Sequence, residues 1–399
     1  MNLSIKSLRI LPFLTLIFLA ACNNSAPSKK ENDDTKTKQD SVKNTNLDIP
    51  VDKKLTETSK LIAGMDTALN FRNDLSDKAK FIEFHKSSQS KFDKIEVDRL
   101  SKINTWGKEL LKKNNLPDNN FCFYPFAGGD FIHAHYLYPN AKEYLMLALE
   151  PIGVLPDIYT LKEKEIMEYL YNIDTALRNI YNHSYFITKN MNSDISGKRM
   201  VSGILPMIIW GIARAKYEIV SMEYFNIDSL GNKVAVDKED PKAGRANAVT
   251  VQIKNQTETK KITYISGDIS DDGIKKKPGI MKYVKQQVPA DKTTTFIKSA
   301  SYLLHYGTFN EIRNQILDVS KVIFQDDTGI PYRYFSEDKW TVALFGVYKT
   351  PIKDFSSNLF QNDLNKAYKD STKYQGALPF SLGYHWNSKD QNQMFIFKK

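Results

Sequence analysis

The stretch Phe121–Glu150, FCFYPFAGGDFIHAHYLYPNAKEYLMLALE, decides the fold. Its first part, FCFYPFA, is a short apolar run bounded by turn residues, which predicts a buried strand. Gly128, Gly129 and Asp130 then make a tight exit. Asp130 stands where a carboxylate caps the short helix FIHAHYLY by accepting from its free backbone N–H groups. A second apolar run, KEYLMLALEP, predicts another buried strand that closes at Glu150 and Pro151. Strand, helix and parallel strand form a βαβ unit.

Outward from this unit the same alternation continues. Leu161, Ile166, Tyr169, Leu170, Ile173, Leu177 and Ile180 share one helical face, and GILPMIIWGIARA is apolar all round, as a buried helix must be. YEIVSMEYFNI, NAVTVQI and KITYISGDI predict strands, with a polar loop around 238–245. A helix near Met281–Gln287, the strand TTFIKSA, the helix FNEIRNQILDVS and the strand KVIFQ follow, then WTVALFGVY, a helix near Leu364–Tyr368 and the terminal strand QMFIFKK. Upstream, residues 55–117 carry Phe81, Phe84, Phe92, Ile95, Leu100, Ile103, Trp106 and Leu110 at helical spacings before NNLPDNN breaks the pattern. The expected fold is therefore α/β: a mostly parallel sheet over 118–399 with helices on both faces, a helical N-terminal segment and an insertion at about 155–260.

The N-terminus is of a different kind. Lys6 and Arg9 precede the apolar Ile10–Ala20, too short to span a bilayer, and then Leu19-Ala20-Ala21-Cys22. This order resembles the lipobox of bacterial lipoproteins. The resemblance implies removal of residues 1–21, acylation of Cys22, and anchoring to a membrane of the cell envelope without spanning it; two or more acyl chains hold where one does not. Residues 22–54 are polar with almost nothing to bury, so they predict a disordered tether reaching roughly 25 Å. Asn23 rather than aspartate follows the cysteine, which in such lipoproteins favours the outer membrane over the inner.

Formal charge is +10, but the lysines are scattered among acids and no nucleic-acid motif accompanies them, so no nucleic-acid partner is expected. With Cys22 acylated, Cys122 has no partner for a disulfide and is expected to be a small buried hydrophobe.

The order of elements from Phe121 onward also resembles the Rossmann-like fold of S-adenosylmethionine-dependent methyltransferases. The resemblance implies that Gly128 and Gly129 are the cofactor loop, that Glu150 holds the ribose hydroxyls, and that the terminal strand runs antiparallel. The loop departs from the family where Phe126 and Ala127 precede the glycines, and an exported protein meets little S-adenosylmethionine. The first expectation is therefore a ligand-binding or non-catalytic protein on a nucleotide-type fold. The second is an envelope enzyme, a hydrolase or a methyltransferase, built from acids at strand ends. Its candidate catalytic residues are Asp130, Glu150, His305, Asp326 and Asp327, with Asp268, Asp271 and Asp272 nearby in the same type of turn. Ser299 and Ser301 lack a nucleophile-elbow pattern. His133 and His135 are the candidate metal ligands; on a helix, residues two apart lie on nearly opposite sides, which disfavours a shared ion.

Overall fold

The computed structural model describes residues 49–65, 72, 78–186, 201–237, 240, 245–385 and 389–399. The signal segment, Cys22, most of the 22–54 tether and much of the 238–245 loop lie outside the described residues.

The strands are β1 (Phe121–Pro125), β2 (Glu143–Ala148), β3 (Glu218–Ile227), β4 (Lys233–Val236), β5 (Ala248–Lys254), β6 (Thr259–Ser266), β7 (Thr293–Ile297), β8 (Ser320–Gln325), β9 (Trp340–Gly346), β10 (Tyr374–Gly376) and β11 (Asn392–Lys398). They form one 11-stranded sheet in the order β10-β9-β11-β8-β7-β1-β2-β6-β5-β3-β4. The middle, β8-β7-β1-β2-β6, is parallel throughout.

The expectation of a mostly parallel sheet is corrected by the flanks. β5 runs antiparallel to β6, β3 to β5 and β4 to β3, while β11 is antiparallel to both β8 and β9. The cause lies in the connections. β3 and β4, and β5 and β6, are joined by short loops, which permit only antiparallel neighbours, whereas β1 and β2, and β7 and β8, are joined through helices.

Both faces of the sheet are buried, and the pleat shows it. In β1, Cys122 and Tyr124 enter one core while Phe121 and Phe123 enter the other; in β2, Tyr144 and Met146 oppose Leu145 and Leu147 in the same way. Near-continuous apolar strands are what a doubly covered sheet requires.

The first face is covered by α1 (Lys53–Ile62), α2 (Lys78–Ile95), α3 (Ser101–Lys113), α4 (Phe131–Leu137), α5 (Glu163–His183) and α6 (Leu205–Arg214). Every residue of α6 is buried, which explains a helix with no polar face. The second face is covered by α7 (Asp271–Lys276), α8 (Pro278–Gln287), α9 (Asn310–Val319) and α10 (Asn362–Ala367).

The N-terminal helices pack directly onto the sheet. Trp106 of α3 meets Phe324 of β8, Phe345 of β9 and Phe380 edge-on at ring-centroid distances of 4.8, 5.0 and 5.4 Å. Such contacts add to the area that each ring buries. Among the described residues no helix is long and apolar enough to cross a membrane.

Candidate functional site

In a doubly wound sheet, the two strands whose crossovers leave in opposite directions part at their carboxyl ends and open a crevice there. Here those strands are β1 and β7. A cleft of about 390 Å³ lies at that place, lined by residues that follow β1, β2, β6 and β7. It is open, and Phe126 forms part of its wall beside Phe309 rather than a plug.

The turn after β1 is built by local constraints. Phe126 and Gly128 both adopt left-handed backbone, with φ of 61° and 53°. A side chain costs about 1–2 kcal/mol in this region, so a phenylalanine held there marks a turn fixed by its surroundings. Gly128 faces the cleft with Phe186 above it. Gly129 instead lies against α6, where a Cβ would come within 2.7 Å of Ile204.

Asp130 caps α4, as the sequence predicts, through the backbone N–H of His133 at 3.4 Å. Its carboxylate also accepts from His133 Nδ1 at 2.7 Å and Tyr124 Oη at 3.1 Å, and it pairs with Lys298. Burial pushes this carboxyl upward, but His133 and Lys298 outweigh it and hold the group down at about 2. Burial depresses His133 to about 4 and also lowers Lys298, whose ammonium donates a second bond to the carbonyl of Ser184. Asp130 is thus an ionised hub with its acceptors filled.

Glu150 differs in the feature that matters most. It is only 4 % exposed and lines the cleft, yet its carboxylate has no hydrogen-bond or ion-pair partner among the described residues. Its backbone carbonyl is held by Tyr264 Oη at 2.7 Å, which fixes the residue without satisfying the side chain. Its carboxylate oxygens are not sealed from solvent, so they face the cleft open to water or to a ligand.

The connection after β7 is also unusual. Ser299, Ser301 and Tyr302 have φ of 55°, 54° and 58° within four consecutive residues. Clustered left-handed residues of this kind gather at ligand clamps and active sites. Ser301 Oγ shares a hydrogen with Tyr384 Oη at 2.6 Å, whereas the buried Ser299 Oγ has no partner among the described residues. Among the described residues no base stands within hydrogen-bond reach of either hydroxyl, so none of them activates these serines as nucleophiles.

Other sequence candidates lie elsewhere. Asp326 and Asp327 are fully buried behind the cleft. Asp326 accepts from Thr328 N at 3.0 Å and Ser299 N at 3.2 Å; burial and the charge of Asp327 raise its carboxyl to about 6. Asp327 accepts from Tyr302 Oη at 2.6 Å, His385 Nε2 at 2.9 Å and Asn392 Nδ2 at 3.0 Å. Burial works against the charged form of His385, but the bond from Asp327 outweighs it and raises the imidazole. His305 reaches only the backbone carbonyl of Asp327, at 3.3 Å. Asp268 lines the cleft, while Asp271 and Asp272 begin α7.

His133 is spent on Asp130, and His135 stacks on Phe131 with its Nδ1 3.3 Å from Tyr144 Oη. Among the described residues no group of three or more His, Cys, Asp or Glu side chains is placed to hold a metal ion. Cys122 is fully buried, and burial raises its thiol far above the ordinary range.

The sequence reading missed Lys298, Tyr185, Asp354, Phe355 and Tyr384, all of which line the cleft. Only Lys298 left a trace, as the lone charge ending an apolar β-branched strand. Among the described residues, the ionisable lining comprises the carboxyls of Asp130, Glu150, Asp268 and Asp354 against one ammonium, that of Lys298, which Asp130 already neutralises. The described lining is therefore acidic and rich in aromatic rings, which suits a cation better than a phosphate. No protein-family model, curated protein or solved structure matches this chain.

Proposed function

We propose that the protein is a membrane-anchored envelope lipoprotein whose strand-end cleft binds a small, phosphate-free, neutral or positively charged ligand bearing vicinal hydroxyls. S-Adenosylmethionine and its nucleoside relatives are the ligands of that chemistry implied by the methyltransferase resemblance. The observation that carries the reading is Glu150: a cleft-facing carboxylate just after β2 that has no hydrogen-bond or ion-pair partner among the described residues.

Supporting it is the strand order β6-β2-β1-β7-β8, which follows the 3-2-1-4-5 order of doubly wound sheets, with β11 antiparallel beyond β8 as in the methyltransferase resemblance. The charge balance fits as well. A sulfonium nucleoside would meet Glu150 and Asp268, whereas a dinucleotide would bring its pyrophosphate to a cleft whose described lining has no free cation. Glu150 would take the ribose hydroxyls, and the aromatic lining would cover the base. When bound, such a cofactor supplies an electrophilic methyl group. The left-handed turn at Ser299–Tyr302 favours a transfer enzyme as the second reading, because strain of this kind is retained where geometry is used.

Calorimetric titration tests the first reading. S-Adenosylmethionine, its demethylated product and adenosine should bind, ATP and NAD should not, and Glu150→Gln should weaken the nucleosides about tenfold or more, since two charge-assisted hydrogen bonds are reduced. Equal affinity in the variant, or tighter binding of ATP, would falsify it. Formation of the demethylated product in the presence of a methyl acceptor would move the conclusion to the second reading.

A further inference from the structure

The cleft has a second pole, built from connections rather than from the ends of β2 and β6. Tyr185, Phe355 and Tyr384 all line it. Tyr185 and Tyr384 meet at 4.7 Å between ring centroids and an angle of 67°, and Phe355 meets Tyr384 at 5.6 Å and 60°. All three rings are half-buried, so each keeps surface turned to the cleft. Asp354 stands beside Phe355, exposed and without a cationic partner among the described residues.

This wall is held in place before any ligand arrives. The backbone N–H of Gly383 donates to Ser184 Oγ at 2.8 Å, clamping together the two segments that carry Tyr384 and Tyr185. Lys298 ties the Ser184 carbonyl to Asp130, and Ser301 holds the Tyr384 hydroxyl at 2.6 Å. Two remote parts of the chain are thus fastened to the carboxyl ends of β1 and β7, and a third, which carries Phe355, is tied there by the backbone N–H of Ile352 donating to Tyr302 Oη at 2.9 Å. Burial raises the phenols of Tyr185 and Tyr384, so both rings stay neutral and electron-rich at physiological pH.

We propose that Tyr185, Phe355 and Tyr384, with Asp354, form an ammonium-recognising subsite, and that the second ligand of the cleft is a small alkylammonium compound. The faces of aromatic rings beside a carboxylate are the chemistry that selects a weakly hydrated cation. A phosphate or carboxylate ligand is disfavoured there, because the one cation of the described lining, Lys298, is already paired. This proposal rests on the reading of the cleft as a ligand site, but it does not need the nucleoside.

The test uses the full-length protein with choline as the probe and 3,3-dimethylbutanol as its uncharged isostere, followed by calorimetry. Choline should bind at least tenfold more tightly than the alcohol. Tyr185→Leu and Phe355→Leu, neither of which touches the Ser301 bond, should each weaken choline roughly tenfold, and Asp354→Asn should weaken it several-fold. Unchanged melting temperatures and far-ultraviolet dichroism would show that the variants fold. Equal binding of choline and the alcohol, or wild-type choline affinity in both ring variants, overturns the proposal. Adenosine titrated against the same wild-type protein separates the two ideas. Adenosine failing while choline binds sinks the nucleoside reading alone; choline failing while adenosine binds sinks the ammonium subsite alone.

Discussion

At the scale of single residues, the molecule turns on the pairing of Lys298 with Asp130. Both are almost wholly buried, and the pair is completed by His133, Tyr124 and the carbonyl of Ser184. Removing one member of a buried pair leaves an uncompensated charge, which costs about 3–5 kcal/mol. Lys298→Met should lose stability of that order in urea unfolding, and adding Asp130→Asn should recover much of it. A single variant as stable as wild type would show the pair to be dispensable. Asp326 gives a prediction in pH. Burial and Asp327 raise its carboxyl from 3.8 to about 6, so the folded protein keeps this proton where the unfolded chain has lost it. The corresponding stability is present below about pH 4 and fades as pH rises through about 6. His385, also raised, acts with the same sign. Carbon-13 NMR should find the Asp326 midpoint near 6, and Asp326→Asn should flatten the decline in stability between pH 4 and 7. A midpoint at the ordinary aspartate value would remove the argument. Lys298 illustrates what a chain of letters conceals: it ends the apolar TTFIK, and nothing local says that its amine turns inward to an acid 168 positions earlier.

At the scale of elements, what was legible follows from the physics of burial. β1, α4 and β2 could be read from Phe121–Ala148 because each strand is apolar on both faces and Asp130 supplies a cap signal. β4 and β10 could not. Residues 233–236 are largely exposed, and Tyr374–Gly376 has no apolar periodicity, because each lies at a sheet edge with a neighbour on one side only. Acids at strand ends were legible as a class, but not by direction. Glu150 turns to the cleft while Asp326 and Asp327, in the equivalent turn after β8, are drawn inward by Thr328, Tyr302 and Asn392. Tyr185, Asp354 and Tyr384 sit in loops, and only the assembled topology brings them together. The join between the helical segment and the sheet is testable at this scale. Trp106→Ala should cost about 3–5 kcal/mol, the range for truncating a large buried aromatic ring, and should loosen α3 from β8 and β9. Hydrogen exchange in β8 and β9 should rise together with that in α3; exchange confined to the helix would show that the two do not stabilise each other.

At the scale of the whole molecule, the proposed anchoring and the proposed ligand binding are separable by experiment. Cys22→Ser should abolish incorporation of labelled fatty acid and move the protein out of the membrane fraction, while leaving titrations of the cleft unchanged. Membrane recovery that survives the substitution would require another attachment. A last consequence follows from the position of β11. It follows β9 and β10 in the sequence, yet it lies between β8 and β9 and supplies every hydrogen-bonded link between them. β9 and β10 therefore have no place on the sheet until Asn392–Lys398 has entered beside β8. A polypeptide lacking that one strand would leave β8 as a bare rim with two strands adrift beside it.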